Sequence, residues 1–156
     1  RTGFFGNVIV STCISFPFIF GGFAVETMKP ILYIFTILAI LSNLGREIIK
    51  GIADQKGDSA RKIRTIAVSY GPSTAALVAS VFFAASVLVS WAPLVLGMVS
   101  ALYLPFIMAT DVGFASSSIL ILKNPSAPNA EKEKSKIILW MILGLLSFVA
   151  GNYRLF

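Results

Sequence analysis

The sequence predicts an all-α, multi-pass transmembrane helix bundle, and three observations support this fold class. Of the 156 residues, 56% are hydrophobic and only 13% are charged, whereas charged residues make up about a quarter of a soluble domain. The apolar residues form stretches long enough to cross a hydrocarbon core, which takes about 20 residues of helix. The connections between these stretches are too short to hold a soluble domain. We therefore interpret residues 1–156 as a single transmembrane domain.

Five apolar stretches are predicted to span the membrane, in chain order residues 5–25, 30–49, 73–91, 94–122 and 137–152. The fourth stretch is longer than one span requires and contains Pro105. We expect it either to bend at the proline or to follow a short interfacial turn. The long connection at residues 50–72 is expected to hold a short helix over residues 60–68. The mixed-charge run at residues 131–136 is expected to form the solvated start of the last helix.

The distribution of basic residues predicts the orientation in the cell membrane. Five spans place the N-terminus and the connections at residues 50–72 and 123–136 on one face. That face carries all of the thirteen Lys and Arg residues except Lys29 and Arg154, which makes it the cytoplasmic face under the positive-inside rule. The same asymmetry explains the formal net charge of +6 as a topology signal and an attraction to the anionic headgroups of membrane lipids. A nucleic-acid partner is therefore not expected.

The residue types exclude several kinds of catalytic site. Histidine is absent, so histidine general bases, Ser-His triads and histidine-bound zinc or iron are excluded. The one cysteine, Cys13, cannot form an intrachain disulfide and is interpreted as a packing residue. Chemistry must therefore use carboxylates, amines, guanidinium groups or hydroxyls, and we assign no catalytic side chain.

Charge is concentrated in residues 43–64, at the predicted cytoplasmic end of the second span. This stretch holds six of the thirteen basic residues and three of the seven acidic residues. Polar residues recur there every three or four positions, which places them on one stripe of a helix. The stripe consists of Asn43, Arg46 or Glu47, Lys50, Asp54 and Asp58. Two interpretations are open: an interfacial collar in which Glu47 pairs with Lys50, or a binding site that faces a polar cavity.

Two aspartates one helical turn apart, Asp54 and Asp58, favour the binding site. Like-charged carboxylates repel each other without a cation between them. Mg²⁺ takes oxygen ligands, typically one or two carboxylates together with phosphate oxygens. On the same face, Arg46 could bind a phosphate through its guanidinium fork and Lys50 as a point charge. The stripe therefore predicts a magnesium-assisted diphosphate site.

The same stretch resembles a known family. The run GREIIKGIADQKGD at residues 45–58, which continues through Arg64-Thr65 to Tyr70-Gly71-Pro72, is similar to the second aspartate-rich motif of the UbiA superfamily of intramembrane prenyltransferases. The upstream RTGFFGN at residues 1–7, with FPF at residues 16–18 and a glycine pair at residues 21–22, resembles the fifth helix of that family. The three later spans fit helices seven to nine. Within the family, the motif most resembles that of archaeal digeranylgeranylglyceryl phosphate synthases.

The resemblance implies a nine-helix bundle around a cavity, of which about five spans are present here. It implies Mg²⁺-dependent transfer of a prenyl group from prenyl diphosphate to a lipophilic acceptor. The archaeal members imply a geranylgeranyl group and geranylgeranylglyceryl phosphate as acceptor, in membrane lipid synthesis. The family's first aspartate-rich motif has no counterpart in this sequence. We therefore expect preceding helices, from the same protein or a companion fragment, as a partner, and we expect this chain to be inactive alone.

Motif and resemblance together assign the site residues. Asp54 and Asp58 are assigned to Mg²⁺, and the diphosphate is assigned to Arg46, Lys50 and Arg64. The substrate pocket is assigned Asn43, Glu47 and Asn7, of which Asn7 could instead form an interhelical hydrogen bond. Six phenylalanines are candidates for lining the prenyl cavity, with plain packing or lipid contact as the alternative: Phe16, Phe18, Phe20, Phe82, Phe83 and Phe106.

Asp111 is a polar residue in the middle of the fourth span. A carboxyl group facing lipid would be costly, so we expect Asp111 to form a hydrogen bond with a neighbouring helix.

Other functions remain as alternatives. A UbiA-type enzyme acting on an aromatic acceptor in quinone biosynthesis would carry the same motif. A CDP-alcohol phosphotransferase would need DGxxAR before its paired aspartates, whereas here Ala60-Arg61 follows Asp58. A transporter or membrane assembly subunit without enzymatic activity would explain five spans and a membrane-buried Asp111, but it would not explain the charged stripe.

Overall fold

The computed structural model describes residues 3–153 of the chain, which form helices with no β-strand in that range. Five of the helical segments are long and apolar enough to cross a membrane. The predicted all-α, multi-pass bundle is therefore confirmed, and the protein is membrane-integral. In chain order the helices are α1 (Phe4–Ala24), α2 (Pro30–Ala53), α3 (Gln55–Ala60), α4 (Ile66–Tyr70), α5 (Pro72–Ser90), α6 (Ala92–Val95), α7 (Tyr103–Lys123) and α8 (Ala127–Gly151).

Helix α2 lies at the centre of the arrangement, where it packs against α1, α5 and α8, while α7 packs against α5 and α8. Its last turns supply Ile48, Ile49 and Ile52 to the buried core, and α5 supplies small residues and Phe83. The core residues of α2 come from its C-terminal end, and those of α5 lie between Ala75 and Phe83. The tightest packing therefore lies in the half of the bundle next to the loop at residues 54–71, and we call that side of the bundle the charged face.

The fourth and fifth spans begin at different residues from those predicted. Helix α5 continues almost directly into α6, and residues 96–102 form a turn in which Gly97 has φ 64°. Helix α7 begins only at Tyr103, so the predicted span 94–122 is too long and the interfacial turn is the correct alternative. Pro105 lies in the first turn of α7, where a missing N–H breaks no intrahelical hydrogen bond. Helix α8 begins at Ala127, ten residues before the predicted span, and includes the mixed-charge run. The expected solvated start is only partly correct, because Glu133 of that run is 1% exposed.

The loop on the charged face holds two short helices, so the single helix expected over residues 60–68 is wrong. Helix α3 ends at Ala60, and Lys62 adopts a positive φ of 57°, which a continuing helix cannot accommodate. Helix α4 starts afresh after Thr65, whose hydroxyl oxygen accepts a hydrogen bond from the backbone N–H of Val68 at 3.3 Å. This is an N-cap, a local signal that favours a helix start at that residue.

Candidate functional site

The end of α2 at the charged face carries three charged side chains in contact. Arg46 Nη1 donates to Glu47 Oε1 at 3.0 Å, and Lys50 Nζ donates to Glu47 Oε2 at 3.5 Å. The Glu47 side chain is 10% exposed, against 21% for Arg46 and 32% for Lys50. A poorly solvated carboxylate therefore holds two cations at the end of a membrane helix.

A polar cavity of about 520 Å³ opens between α1, the end of α2 and the loop on the charged face. Four of the predicted site residues line it, namely Asn7, Glu47, Lys50 and Asp58. Asn7 comes from α1 and Asp58 from α3, so three helices and the loop contribute to one space. The structure thus brings a basic side chain, an amide and two carboxylates together around a cavity.

The two predicted metal ligands occupy different environments. Helix α2 ends at Ala53, and Asp54 is the junction between α2 and α3. The backbone N–H of Asp58 donates to the carbonyl of Asp54 at 2.9 Å, so the two aspartates remain one helical turn apart. Asp58 is only 2% exposed and lines the polar cavity, whereas the partly buried Asp54 is not among its lining residues.

Carboxylates are too few around this cavity to make a complete metal site from the described residues. Within residues 3–153, no group of three or more His, Cys, Asp or Glu side chains is placed to hold a metal ion. The oxygen donors that are present, carboxylates from Asp58 and Glu47 beside an amide, suit a hard cation such as Mg²⁺. The residues of this chain therefore fit one part of a magnesium site.

A second, apolar cavity of about 320 Å³ lies inside the bundle. Residues of α1, α2, α5, α7 and α8 line it, and Arg46 and Asn43 stand at its end nearest the charged face. Ile14 lines both this apolar cavity and the polar cavity. Since Arg46 lines the apolar cavity and its neighbour Glu47 lines the polar cavity, the last turns of α2 lie between the two cavities.

Of the six phenylalanines proposed to line a cavity, Phe18 is the one among the lining residues of the apolar cavity. Phe16 and Phe20 are exposed on α1, and Phe83 is buried in the core against Phe114. Three phenylalanines that the sequence pattern does not single out also line the cavity, namely Phe35 of α2, Phe114 of α7 and Phe148 of α8. Their positions follow from the rotation of each helix in the bundle, which the apolar residues around them do not reveal.

Asn43 is a buried residue that lines the apolar cavity and also joins two helices. Its Nδ2 donates to the Ser11 hydroxyl oxygen of α1 at 3.0 Å. Ser11 was not singled out in the sequence because a serine in an apolar helix carries no distinguishing pattern. Arg64 is exposed, and the structure does not bring it into the group of residues that lines the polar cavity.

Asp111 forms the interhelical hydrogen bond expected for it. The Ser90 hydroxyl, at the end of α5, lies 2.7 Å from the backbone carbonyl oxygen of Val87 and 3.0 and 3.2 Å from the two carboxylate oxygens of Asp111 on α7, and its single proton is shared among these acceptors. Tyr103 in turn donates its hydroxyl to the backbone carbonyl of Ser90 at 2.7 Å. These bonds tie α5 to α7 at the end of the apolar cavity that lies away from the charged face.

Comparisons with known proteins identify relatives of this chain. A digeranylgeranylglyceryl phosphate synthase of Methanococcus aeolicus is 37% identical and is matched over 97% of this chain and 54% of its own length. The synthase of Methanopyrus kandleri is 33% identical over 96% of this chain and 54% of the relative. The chain thus spans about half the length of the curated relatives it matches.

A solved structure reported under the name digeranylgeranylglyceryl phosphate synthase superimposes with a TM-score of 0.89. It is 28% identical, and the match covers 95% of this chain and 52% of that structure. The sequence model described as the UbiA prenyltransferase family matches residues 1–143. The chain belongs to the UbiA prenyltransferase family.

Proposed function

We propose that this chain forms part of an enzyme that transfers a prenyl group, a geranylgeranyl group in particular, from prenyl diphosphate to a lipophilic acceptor. The acceptor is proposed to be geranylgeranylglyceryl phosphate, in archaeal membrane lipid synthesis. One observation carries the proposal: the polar cavity, lined by Glu47, and the apolar cavity, lined by Arg46, lie next to each other at the end of α2. A prenyl diphosphate has the same division, with a charged head joined to a long apolar tail. The names of the relatives support the choice of acceptor.

The polar cavity suits the diphosphate leaving group. When the bond between prenyl C1 and the diphosphate oxygen breaks, both electrons stay with the diphosphate and negative charge develops on it. Lys50, which lines the polar cavity, and Arg46, at the mouth of the apolar one, would stabilise that charge more in the transition state than in the bound substrate. The acceptor hydroxyl oxygen then forms the new bond to C1, and its proton passes to the released diphosphate.

The apolar cavity suits the reactive carbon and its tail. An allylic cation left at C1 would be captured by water if water reached it. Phe18, Phe35 and Phe148 line the cavity, and such apolar walls exclude water from the reaction while they bind the polyprenyl chain.

Mg²⁺ would be held by Asp58, which lines the polar cavity with Glu47, and by Asp54, which lies one helical turn before Asp58 and outside that lining. The ion would supply positive charge to the departing diphosphate. Because these carboxylates form only part of a site, we propose that the remaining ligands come from a first aspartate-rich motif on preceding helices. Those helices would also complete the walls of both cavities. Asn7 and Asn43 are proposed to contact substrate, and Arg64 to reach the diphosphate from the loop.

We also propose an orientation of the protein in the membrane. The charged face, which holds the loop at residues 54–71, is proposed to lie in the cytoplasm, where soluble Mg²⁺ and released diphosphate are accessible. The distribution of basic residues supports this orientation.

The test is prenyl transfer by the protein expressed from its complete gene. It is given geranylgeranyl diphosphate and geranylgeranylglyceryl phosphate, with Mg²⁺ or with excess EDTA. We expect transfer that requires the metal and falls by about a hundredfold or more in Asp58→Asn, since the variant loses a charged ligand to the metal-bound leaving group. Asp54→Asn is expected to show the same loss, and Glu131→Gln, exposed on α8, is the matched control.

Three results would each contradict a different part of the proposal. Full activity in both aspartate variants would overturn the metal assignment. Preference for an aromatic acid over the glycerol lipid would replace the proposed acceptor. Absence of transfer to either acceptor would favour a non-enzymatic membrane role.

A further inference from the structure

One side chain joins the two short helices of the loop on the charged face. Gln55, the first residue of α3, donates from Nε2 to the backbone carbonyl of Ala67 in α4 at 2.7 Å, across twelve residues of sequence. Ala67 is one of the last four residues of α4, whose carbonyls lack partners within their own helix. The Gln55 amide therefore satisfies a carbonyl at the end of α4 and ties α3 to it.

The α4 end of this bond is held by the helix bundle. Ala67 is 1% exposed and belongs to the buried core. Thr65, the N-cap of α4, is also buried and lines the polar cavity. The backbone of Arg64 lies so close to Gly3, at the start of α1, that a Cβ on Gly3 would overlap the Arg64 carbonyl oxygen. The segment that receives the Gln55 bond is therefore a fixed anchor for α3.

The composition of α3 gives it little apolar surface with which to pack. Its six residues, QKGDSA, include no large apolar side chain, and a helix of this length is not stable by itself in water. The backbone bond from Asp58 to Asp54 fixes the spacing of the two aspartates, but it does not fix how α3 lies against the polar cavity. The position of α3 therefore depends on polar contacts, and the Gln55 bond is one that reaches the core.

Gln55 and Asp58 are three residues apart in α3, so they occupy neighbouring positions on one face of the helix. Asp58 is 2% exposed and lines the polar cavity, whereas Gln55 is not among the residues that line it. We propose that Gln55 is a positioning residue, whose bond to Ala67 holds α3 in the orientation that keeps the Asp58 carboxylate at the polar cavity. This inference rests on the proposed metal-dependent prenyl transfer. Gln55 acts through Asp58 and does not touch the diphosphate.

The first measurement is the Mg²⁺ requirement of prenyl transfer in the protein expressed from its complete gene. Gln55→Met keeps the length of the side chain and removes the donor. We expect the Mg²⁺ concentration for half-maximal activity to rise about fivefold or more, the loss expected for one hydrogen bond, and kcat at saturating Mg²⁺ to approach the wild-type value. When Gln55→Met is added to Asp58→Asn, no further loss is expected, because the carboxylate through which Gln55 acts is already gone.

The second measurement is hydrogen exchange of the backbone amides in the same protein without metal or substrate. Local opening of α3 should become easier when its anchor is lost. We expect the amides of α3 to exchange about fivefold or more faster in Gln55→Met than in the wild type, with no change in α2. This readout does not depend on catalysis.

Ser59→Ala is the matched control, since Ser59 is an exposed polar residue of the same short helix. It should change neither the Mg²⁺ requirement nor the exchange. If Gln55→Met fails to fold, Gln55→Asn, whose amide is one methylene shorter, is expected to raise the Mg²⁺ requirement by about twofold or more.

Three results would overturn the inference: an unchanged Mg²⁺ requirement in a folded, active Gln55 variant, unchanged exchange in α3, or a further loss in the Asp58→Asn background. A wild type without prenyl transfer would instead contradict the proposed function, and the inference with it.

Discussion

Arg46 donates to Glu47 at 3.0 Å, although the two residues are consecutive in α2. Consecutive helical side chains normally diverge, so this contact requires the long Arg46 side chain to bend toward its neighbour. Glu47 reaches Lys50 through its other carboxylate oxygen. The Glu47 carboxylate therefore lies between the cations of Arg46 and Lys50, at the boundary of the polar and apolar cavities.

The first prediction concerns that carboxylate. Glu47→Gln removes the counter-charge that Arg46 and Lys50 share, and it should lower the free energy of unfolding by about 1–3 kcal/mol. Unfolding in mixed detergent micelles measures the change. The matched control is Glu131→Gln, since Glu131 also contacts a lysine three residues on, Lys134, but its carboxylate is 60% exposed. That variant should change stability by less than about 0.5 kcal/mol. Equal losses in the two variants would contradict the role assigned to burial.

The second prediction concerns the contact between α1 and α2. Asn43 and Ser11 form a buried interhelical hydrogen bond, and such bonds in membrane bundles contribute about 0.6 kcal/mol on average and about 1.7 kcal/mol at most. A double-mutant cycle of Asn43→Ala and Ser11→Ala should return a coupling energy in this range. Thr12, which is exposed and bonds to Val8 of its own helix, provides the control cycle with Asn43, for which we expect no coupling. Coupling of similar size in both cycles would mean that the effect is not this bond.

The spans and the charged end of α2 could be predicted because each depends on a pattern within a short stretch of sequence. Apolar length marks a membrane helix, and the spacing of Glu47 and Lys50 places them on one face. The break between α2 and α3 at Asp54 could not be predicted, since residues 43–58 keep helical spacing through it. The partners of Asn43 and Phe35 were also hidden, because they depend on how α1 and α8 rotate against α2. Such rotations are decided by packing between distant segments.

The third prediction tests the close approach of α2 and α5. A Cβ added at Gly45 would lie 2.8 Å from Cζ of Phe83, and Phe83 cannot move easily because it is buried and stacked on Phe114 at 5.1 Å. Gly45→Ala should therefore destabilise the bundle by about 1–3 kcal/mol. It should also reduce activity, since Arg46 is the next residue.

Gly21→Ala is the matched control for this helical glycine. No atom lies within 4 Å of the position of its added Cβ, and alanine is favoured over glycine in a helix by about 0.5–1 kcal/mol. We expect this variant to be neutral or slightly stabilised in the same unfolding assay. A Gly45→Ala protein as stable as Gly21→Ala would show that Phe83 has room to yield.

The fourth prediction separates two roles of Lys50, which lines the polar cavity and also contacts Glu47. If Lys50 binds the diphosphate, Lys50→Ala should raise the KM for prenyl diphosphate by roughly tenfold to a hundredfold, the loss expected for a hydrogen bond to a charged group. Lys132→Ala, exposed on α8, should not change KM. If Lys50 acted only by orienting Glu47, the double variant with Glu47→Gln would be no worse than Glu47→Gln alone. We expect the double variant to be clearly worse, because a direct contact between Lys50 and the diphosphate does not depend on the Glu47 carboxylate.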